Sequence, residues 1–302
     1  MELPKPHYDK LVALKRNAKL PVSEMPRVEK AIETYNDWIK KMSEVEGDRP
    51  KIIKGLVDLL NEYKYFIDFE LIFSSNDDFL YRQKGQLKLD NTVIEEFLPI
   101  LVQKAFPELN DQIELGPRKC FSAVYFKSSL TSSQNGGGIK IRTKDQDFAI
   151  ARKIHLRASH SSDFEKYESN EAHLGYLTAE CKTNLDKTMF QEANATASDV
   201  RRAIPGAKYF LLCEWLDMTP VSTIPTDIEE VLILRKAKRL SSNVRKDFAT
   251  KEGRKGASAR FSRFLKKNPF SADVFSRFCK NIEELIENED KEEGNVLKDG
   301  FF

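Results

Sequence analysis

Cysteine is scarce in this chain, four residues in 302, and no two are spaced as a CxxC pair. That excludes a disulfide-stapled secreted scaffold and the common zinc modules, and leaves Cys120, Cys181, Cys213 and Cys279 as reduced structural thiols of a cytoplasmic protein. Histidine is equally sparse, and His7, His155, His160 and His173 follow no metal-ligand spacing. No apolar run is long enough to cross a membrane, and the opening residues Met1 to Pro6 lack the apolar core of a signal peptide. The sequon Asn194-Ala195-Thr196 falls inside a predicted helix and is set aside. No nucleophile elbow or kinase signature occurs, and Gly136-Gly137-Gly138 fits neither a P-loop nor a dinucleotide fingerprint.

What remains is a charged, moderately apolar chain, 32% Asp, Glu, Lys and Arg and 40% hydrophobic, long enough to bury a full core. The net charge of +2 hides an uneven distribution. Residues 235–267 carry thirteen lysines and arginines against Asp247 and Glu252, and an acidic tail follows from Glu283 to Glu293. Glycines and serines interrupt the basic run, which suits a loop or arm tracking a polyanion; its bland alternative is a solvated helix face.

The first 75 residues read as helical, with amphipathic segments over 22–45 and from Pro50 toward Phe73, ended by the polar cluster 74–78. A helix is predicted over 92–105 with Ile94, Phe97, Leu98 and Leu101 on its core face and a kink at Pro99. Residues 119–126 form a first strand, and 129–138 a flexible loop.

Chemistry enters with the strand that ends in Glu180-Cys181-Lys182. Side chains alternate along a strand, so Glu180 and Lys182 share one side and Cys181 faces the other with Leu177 and Ala179. A second strand opens at Asp147, with Phe148, Ile150, Ile154 and Leu156 on one face, and the polar stretch 159–170 reads as a loop between the two. Antiparallel pairing of 147–158 with 171–182 places Asp147 beside Glu180 and Lys182. The rival acid, Asp163, would fall opposite the strand's middle. Asn184 or Asp186 then caps a helix striped by Phe190, Ala193, Ala197, Val200 and Ile204, stopped at Pro205-Gly206. Residues 209–213 are wholly apolar, as expected of a central strand covered on both faces.

Acid strand, E-x-K strand, helix and buried strand in that order resemble the PD-(D/E)xK nuclease core, a mixed α/β sheet flanked by helices. The continuous text from Glu180 to Ala193, with Pro205 to Tyr209 and Cys213 to Met218, is similar to subunits of type II restriction endonucleases of the BbvCI class, heterodimers that cut asymmetric DNA sites. The likeness is specific over about 143–239, and Gln146 stands where the motif has its proline. The resemblance implies a magnesium-dependent endonuclease of double-stranded DNA that leaves 5′-phosphate ends. Its partners would be a related second subunit or second copy, and a DNA methyltransferase as genetic partner.

The metal ligands implied are Asp147, Glu180 and the Cys181 carbonyl, all oxygen donors as magnesium prefers. Lys182 would orient or deprotonate the attacking water, or neutralise the phosphate. Gln191 is a supporting residue on the following helix, and Glu96 rather than Glu95 an auxiliary acid on the preceding one. Arg245, Lys246, Arg254 and Lys255, with Lys140 and Arg142 beyond the glycine loop, are the candidate DNA contacts. Three regions are expected: a helical 1–90, a nuclease core 91–234, and a basic segment with a terminal helix over 235–302. The alternatives are a PD-(D/E)xK nuclease of low sequence specificity in repair or defence, and a catalytically silent DNA-binding protein on the same fold.

Overall fold

The structure, a computed structural model, describes residues 3–109, 112–131, 133–287, 297–298 and 300. Helices α1 (Pro6–Lys15), α2 (Met25–Ser43), α3 (Arg49–Tyr65), α4 (Asp78–Gln86) and α5 (Thr92–Ala105) precede the sheet. Then come β1 (Ile113–Phe126), β2 (Ile139–Ser159), β3 (Tyr167–Leu185), α6 (Lys187–Ala203), β4 (Lys208–Leu216) and β5 (Glu230–Ile233). A short α7 (Ser242–Arg245) leads to α8 (Lys251–Lys267) and α9 (Ala272–Glu287). The outer part of the acidic tail, 288–293, lies outside the described residues.

Local chemistry accounts for the helices. Asp48 caps α3 by accepting from the Lys51 amide at 3.0 Å, with Pro50 in the first turn. Asp186, not Asn184, caps α6 by accepting from the Met189 amide at 2.9 Å. On α2 the buried residues Val28, Ala31, Tyr35, Trp38 and Met42 recur at alternating spacings of three and four, and Trp38 stacks on Tyr63 with ring centroids 4.3 Å apart. Past α3 the backbone widens into a π-helical segment, Phe66–Phe73, which holds Asp68 against Lys64.

The sheet runs β1-β2-β3-β4-β5, with β1, β2 and β3 antiparallel in turn and β3, β4 and β5 parallel. One face carries Phe148, Leu177, Ala179, Cys181, Phe210 and Leu212 into a core that extends from Leu11 to Ile282. On that face Phe278 of α9 meets Phe148 and Phe210 edge-on. The other face packs Tyr209, Leu211 and Cys213 against Phe190, Ala193, Ala197 and Val200 of α6. β4 is therefore covered on both sides, as its apolar run predicts.

The β2–β3 pairing differs from expectation in register and extent. Phe148 pairs with Ala179 rather than with Cys181, and a bulge at Tyr176 lets Ile150 face Leu177 while Ala151 faces Gly175. The shift is even at the acidic end, so no side chain changes face there. Pairing continues to Ser159 opposite Tyr167, which reduces the predicted 159–170 loop to a turn over 160–166.

Two other segments are more ordered than the sequence suggests. The glycine loop is docked on the β2–β3 hairpin. Gly136 sits at φ +55°, and a Cβ there would lie 2.1 Å from the Ala158 carbonyl oxygen. The basic run, expected as a loop or arm, is largely α8, capped by Thr250 through the Gly253 amide at 3.2 Å. Gly253 is tolerated because the Asp247 carbonyl leaves it no room for a side chain, at 1.8 Å from an added Cβ.

Candidate active site

The three residues expected to meet do meet. The Asp147 carboxylate reaches across from β2, its Oδ2 accepting from the Cys181 backbone amide at 2.8 Å. Lys182 Nζ lies 2.5 Å from Glu180 Oε1. The Tyr209 hydroxyl, wholly buried on β4, donates to Glu180 Oε2 at 3.0 Å. β4 lies parallel to β3 with Thr178 opposite Tyr209. That register sets the phenol under the carboxylate. Asp163, at the hairpin tip, is exposed and bonds the Glu165 amide at 2.9 Å.

The surroundings act on these groups electrically. Burial, with a smaller contribution from the Glu180 charge, raises Asp147, although the Cys181 amide and the Lys88 and Lys182 charges oppose it. For Lys182 burial pulls downward, but the bond to Glu180 and the charges of Glu180 and Asp147 outweigh it and the net direction is up. Burial and then the Glu180 charge and bond push Tyr209 upward, so its proton stays on the phenol.

Helix α5 closes the site from the far side of the sheet. Asn91, immediately before it, donates through Nδ2 to the Cys181 carbonyl at 3.0 Å and to Glu95 Oε1 at 2.9 Å. Glu95 is raised to about 7, by burial first and the Asp147 charge second. This corrects the expected auxiliary acid. Glu96 points away: its Oε2 accepts from the His7 amide at 2.8 Å and the Tyr8 amide at 3.2 Å, and its Oε1 from the Tyr35 hydroxyl. It satisfies orphan donors in the first turn of α1. Both glutamates are buried, at 7% and 2% exposure, so helical periodicity could not choose between them. The available signal was Asn91, one helical turn before Glu95 and on the same side.

The remaining candidates divide. Gln191 is exposed on α6, and it is the neighbouring Glu192 whose charge reaches Lys182. Arg254 is not a DNA contact, being 2% exposed and fully engaged. It donates to the carbonyls of Phe73, Phe248 and Asp77 at 3.0, 3.1 and 3.0 Å and to Asp78 Oδ1 at 2.9 Å. Arg235 of the same run is likewise buried, bonding Glu214 at 3.2 Å, while Lys64 Nζ lies 2.7 Å from both Glu214 and Asp68. Arg245 bonds the Leu240 carbonyl at 2.8 Å. Lys140 pairs with Glu168 at 2.5 Å, whereas Arg142, Lys246 and Lys255 are exposed. Beside the site, at the C-terminal ends of β3 and β4, lies a cleft of about 310 Å³ whose lining includes Thr183, Asn184, Trp215, Lys84 and Asp90.

Among the described residues no three His, Cys, Asp or Glu side chains form a metal cluster. The oxygen donors present are two carboxylates from adjacent strands and the main-chain carbonyl of the residue between Glu180 and Lys182, a set suited to a hard divalent cation. No described helix is long and apolar enough to cross a membrane.

Comparison with known proteins gives a family and a fold. The family model described as Bpu10I restriction endonuclease matches residues 86–302. No curated protein matches the chain. A solved chain titled "native BbvCI A2B2 tetramer at low resolution" superposes with a TM-score of 0.55 at 17% identity, over 88% of this chain and 98% of that one. At that identity the likeness speaks for the fold.

Proposed function

The chain belongs to the Bpu10I restriction endonuclease family of type II site-specific deoxyribonucleases, and from that premise we propose that Asp147, Glu180 and Lys182 carry the hydrolysis. The observation that supports this most directly is the Asp147 carboxylate bonded to the Cys181 amide, which sets it beside Glu180 and Lys182. Asp147, Glu180 and the Cys181 carbonyl would hold magnesium, which would supply Lewis acidity and an activated water there.

The chain's own groups do the rest. Tyr209 fixes one Glu180 oxygen, and Lys182, tethered to the other, presents its ammonium charge to the phosphate that gathers negative charge. Glu95, tied through Asn91 to the Cys181 carbonyl, is the auxiliary acid in place of Glu96. Cleavage leaves 5′-phosphate ends. Exposed cations on the 235–267 segment, Lys246 and Lys255 among them, together with Arg142, follow the duplex backbone, where contacts position without reading bases. The chain works with a related second subunit or a second copy of itself, as the tetramer named in the structural match suggests for that protein, and with a DNA methyltransferase that protects its host.

The test is plasmid cleavage in magnesium and then in EDTA, with end-labelling of the products. Wild type should cut a defined site only with metal, and Glu180→Ala and Lys182→Ala should lose roughly three orders of magnitude or more in rate while melting as wild type does. Near-normal cutting by both variants would overturn the assignment.

A further inference from the structure

The sequence assigns no chemistry to the polar cluster after Phe73, where the chain leaves the π-helical segment. In the structure it is one wall of a recess of about 170 Å³ between the N-terminal helices and α8. Ser74, Ser75 and Asn76 form that wall, and Lys251, Lys255 and Ser258 form the other. The α8 residues are spaced by four and three, so they share one face of the helix.

Arg254 builds this recess without facing a ligand. Its guanidinium is spent on the carbonyls of Phe73, Phe248 and Asp77, which clamp α8 to the turn. The nearby acids are also committed, Asp77 to the Phe79 amide at 2.6 Å and Asp78 to Arg254 at 2.9 Å. Asp247 and Glu252, both exposed, are the remaining acids of the basic run. Lys251 and Lys255 form no ion pair among the described residues, nor do Arg260, Arg263, Lys266 and Lys267 further along α8, although most cations of the N-terminal helices are paired. The Ser75 hydroxyl is donated to the Asp77 carbonyl at 2.8 Å, which leaves two ammonium groups, the hydroxyls of Ser74 and Ser258 and the Asn76 amide to offer hydrogen-bond donors to an anion with several acceptor oxygens.

Position adds a direction. Phe73 borders both this recess and the larger cleft lined by Thr183, the residue after Lys182. The recess therefore lies on the side of the molecule where β3 and β4 end. We propose that it seats one backbone phosphate of the bound DNA duplex, on the flank of the site being cut, and that the exposed cations of α8 continue this track. The proposal rests on the nuclease reading above for its partner, and on the recess alone for the contact.

The test compares the full-length wild type with Lys251→Ala/Lys255→Ala and, separately, Ser74→Glu, by fluorescence anisotropy without divalent metal. The probes are two duplexes, one carrying the sequence mapped as cut and one unrelated. Both variants should weaken binding to both duplexes by about tenfold. The slope of log affinity against log salt should become shallower by roughly one for the phosphate lost. Replacing single phosphates by uncharged methylphosphonates should find a position that costs wild type affinity and costs the double variant nothing further. Unchanged affinity and slope in both variants overturns the seat, and so does a loss confined to the cut sequence, which would mean base contacts. Wild type that binds in this manner but never cuts a plasmid refutes the nuclease reading and leaves the seat standing.

Discussion

The Tyr209 hydroxyl donates to Glu180 at 3.0 Å from the neighbouring parallel strand, so one oxygen of the central carboxylate is held by the core while the other faces Lys182. A hydrogen bond to a charged acceptor contributes about 1.5–3 kcal/mol. Tyr209→Phe keeps the ring and the packing and removes only this donor. Its expected effect is a roughly tenfold fall in cleavage rate per folded molecule, a melting temperature lowered by the loss of that bond, and a shifted magnesium titration midpoint, read from rates across metal concentrations.

The neighbouring glutamates of α5 should separate cleanly. Glu96→Gln leaves the His7 and Tyr8 amides with a weaker acceptor and costs about 1–3 kcal/mol of stability, seen in urea denaturation, with cleavage per folded molecule intact. Glu95→Gln should reverse that pattern, lowering cleavage and sparing stability.

Register gives a sharper comparison. Asp147→Asn is expected to remove metal-dependent cutting, because it neutralises the carboxylate that sits against the Cys181 amide. Asp163→Asn, at an exposed turn, should cut like wild type. Equal losses in a plasmid assay would contradict the placement of both.

Arg254 is a strut by burial and by partners. Arg254→Met leaves the Asp78 carboxylate and several carbonyls without their donor, and should cost about 3 kcal/mol or more. The measurement is thermal unfolding. A stable variant with weakened DNA binding would restore it as a phosphate contact.

His7 sets a pH limit on the fold. Burial, with the Lys64 charge second, lowers it to about 3 from an ordinary 6.5, and its ring meets the Tyr63 hydroxyl at 2.7 Å and Thr92 Oγ1 at 3.2 Å. The unfolded chain binds this proton below pH 6.5 and the folded chain does not. The contribution is therefore fully present above 6.5 and is lost as pH falls toward 3, at about 1.4 kcal/mol per pH unit. Unfolding free energies of wild type and His7→Gln should converge as pH is lowered from 7 to 5, so an unchanging difference between them would show that His7 takes up its proton while folded.

The legible parts of this site were those written in local periodicity. Alternation put Glu180 and Lys182 on one side, and the apolar run 209–213 marked a covered strand. The matched arms chose Asp147 over Asp163, although a bulge at Tyr176 and a shorter offset carried the actual ladder. Glu95 could not be singled out because α5 is buried around nearly its whole circumference, and a helix without a wet face gives the pattern no phase. Arg254 misled for a similar reason. Charge runs look alike whether a guanidinium faces water or three carbonyls, and only tertiary packing separates the two. Tyr209 looked like one more apolar strand residue, since its hydroxyl partner lies on a strand that precedes it across a whole helix.

The Asn91 bridge ties the N-terminal helices to the strand that carries Glu180 and Lys182. A single amide grips both the Cys181 carbonyl and Glu95, and the loop that carries it is anchored at Asp90 to Lys84 of α4 at 3.1 Å. These contacts link α4 and α5 directly to the E-x-K backbone. The Glu180–Lys182 segment thus cannot be transplanted alone: a chimera that exchanges residues after 100 while keeping foreign helices before them would inherit Asp147, Glu180 and Lys182 but lose Glu95 and the amide that holds the Cys181 carbonyl.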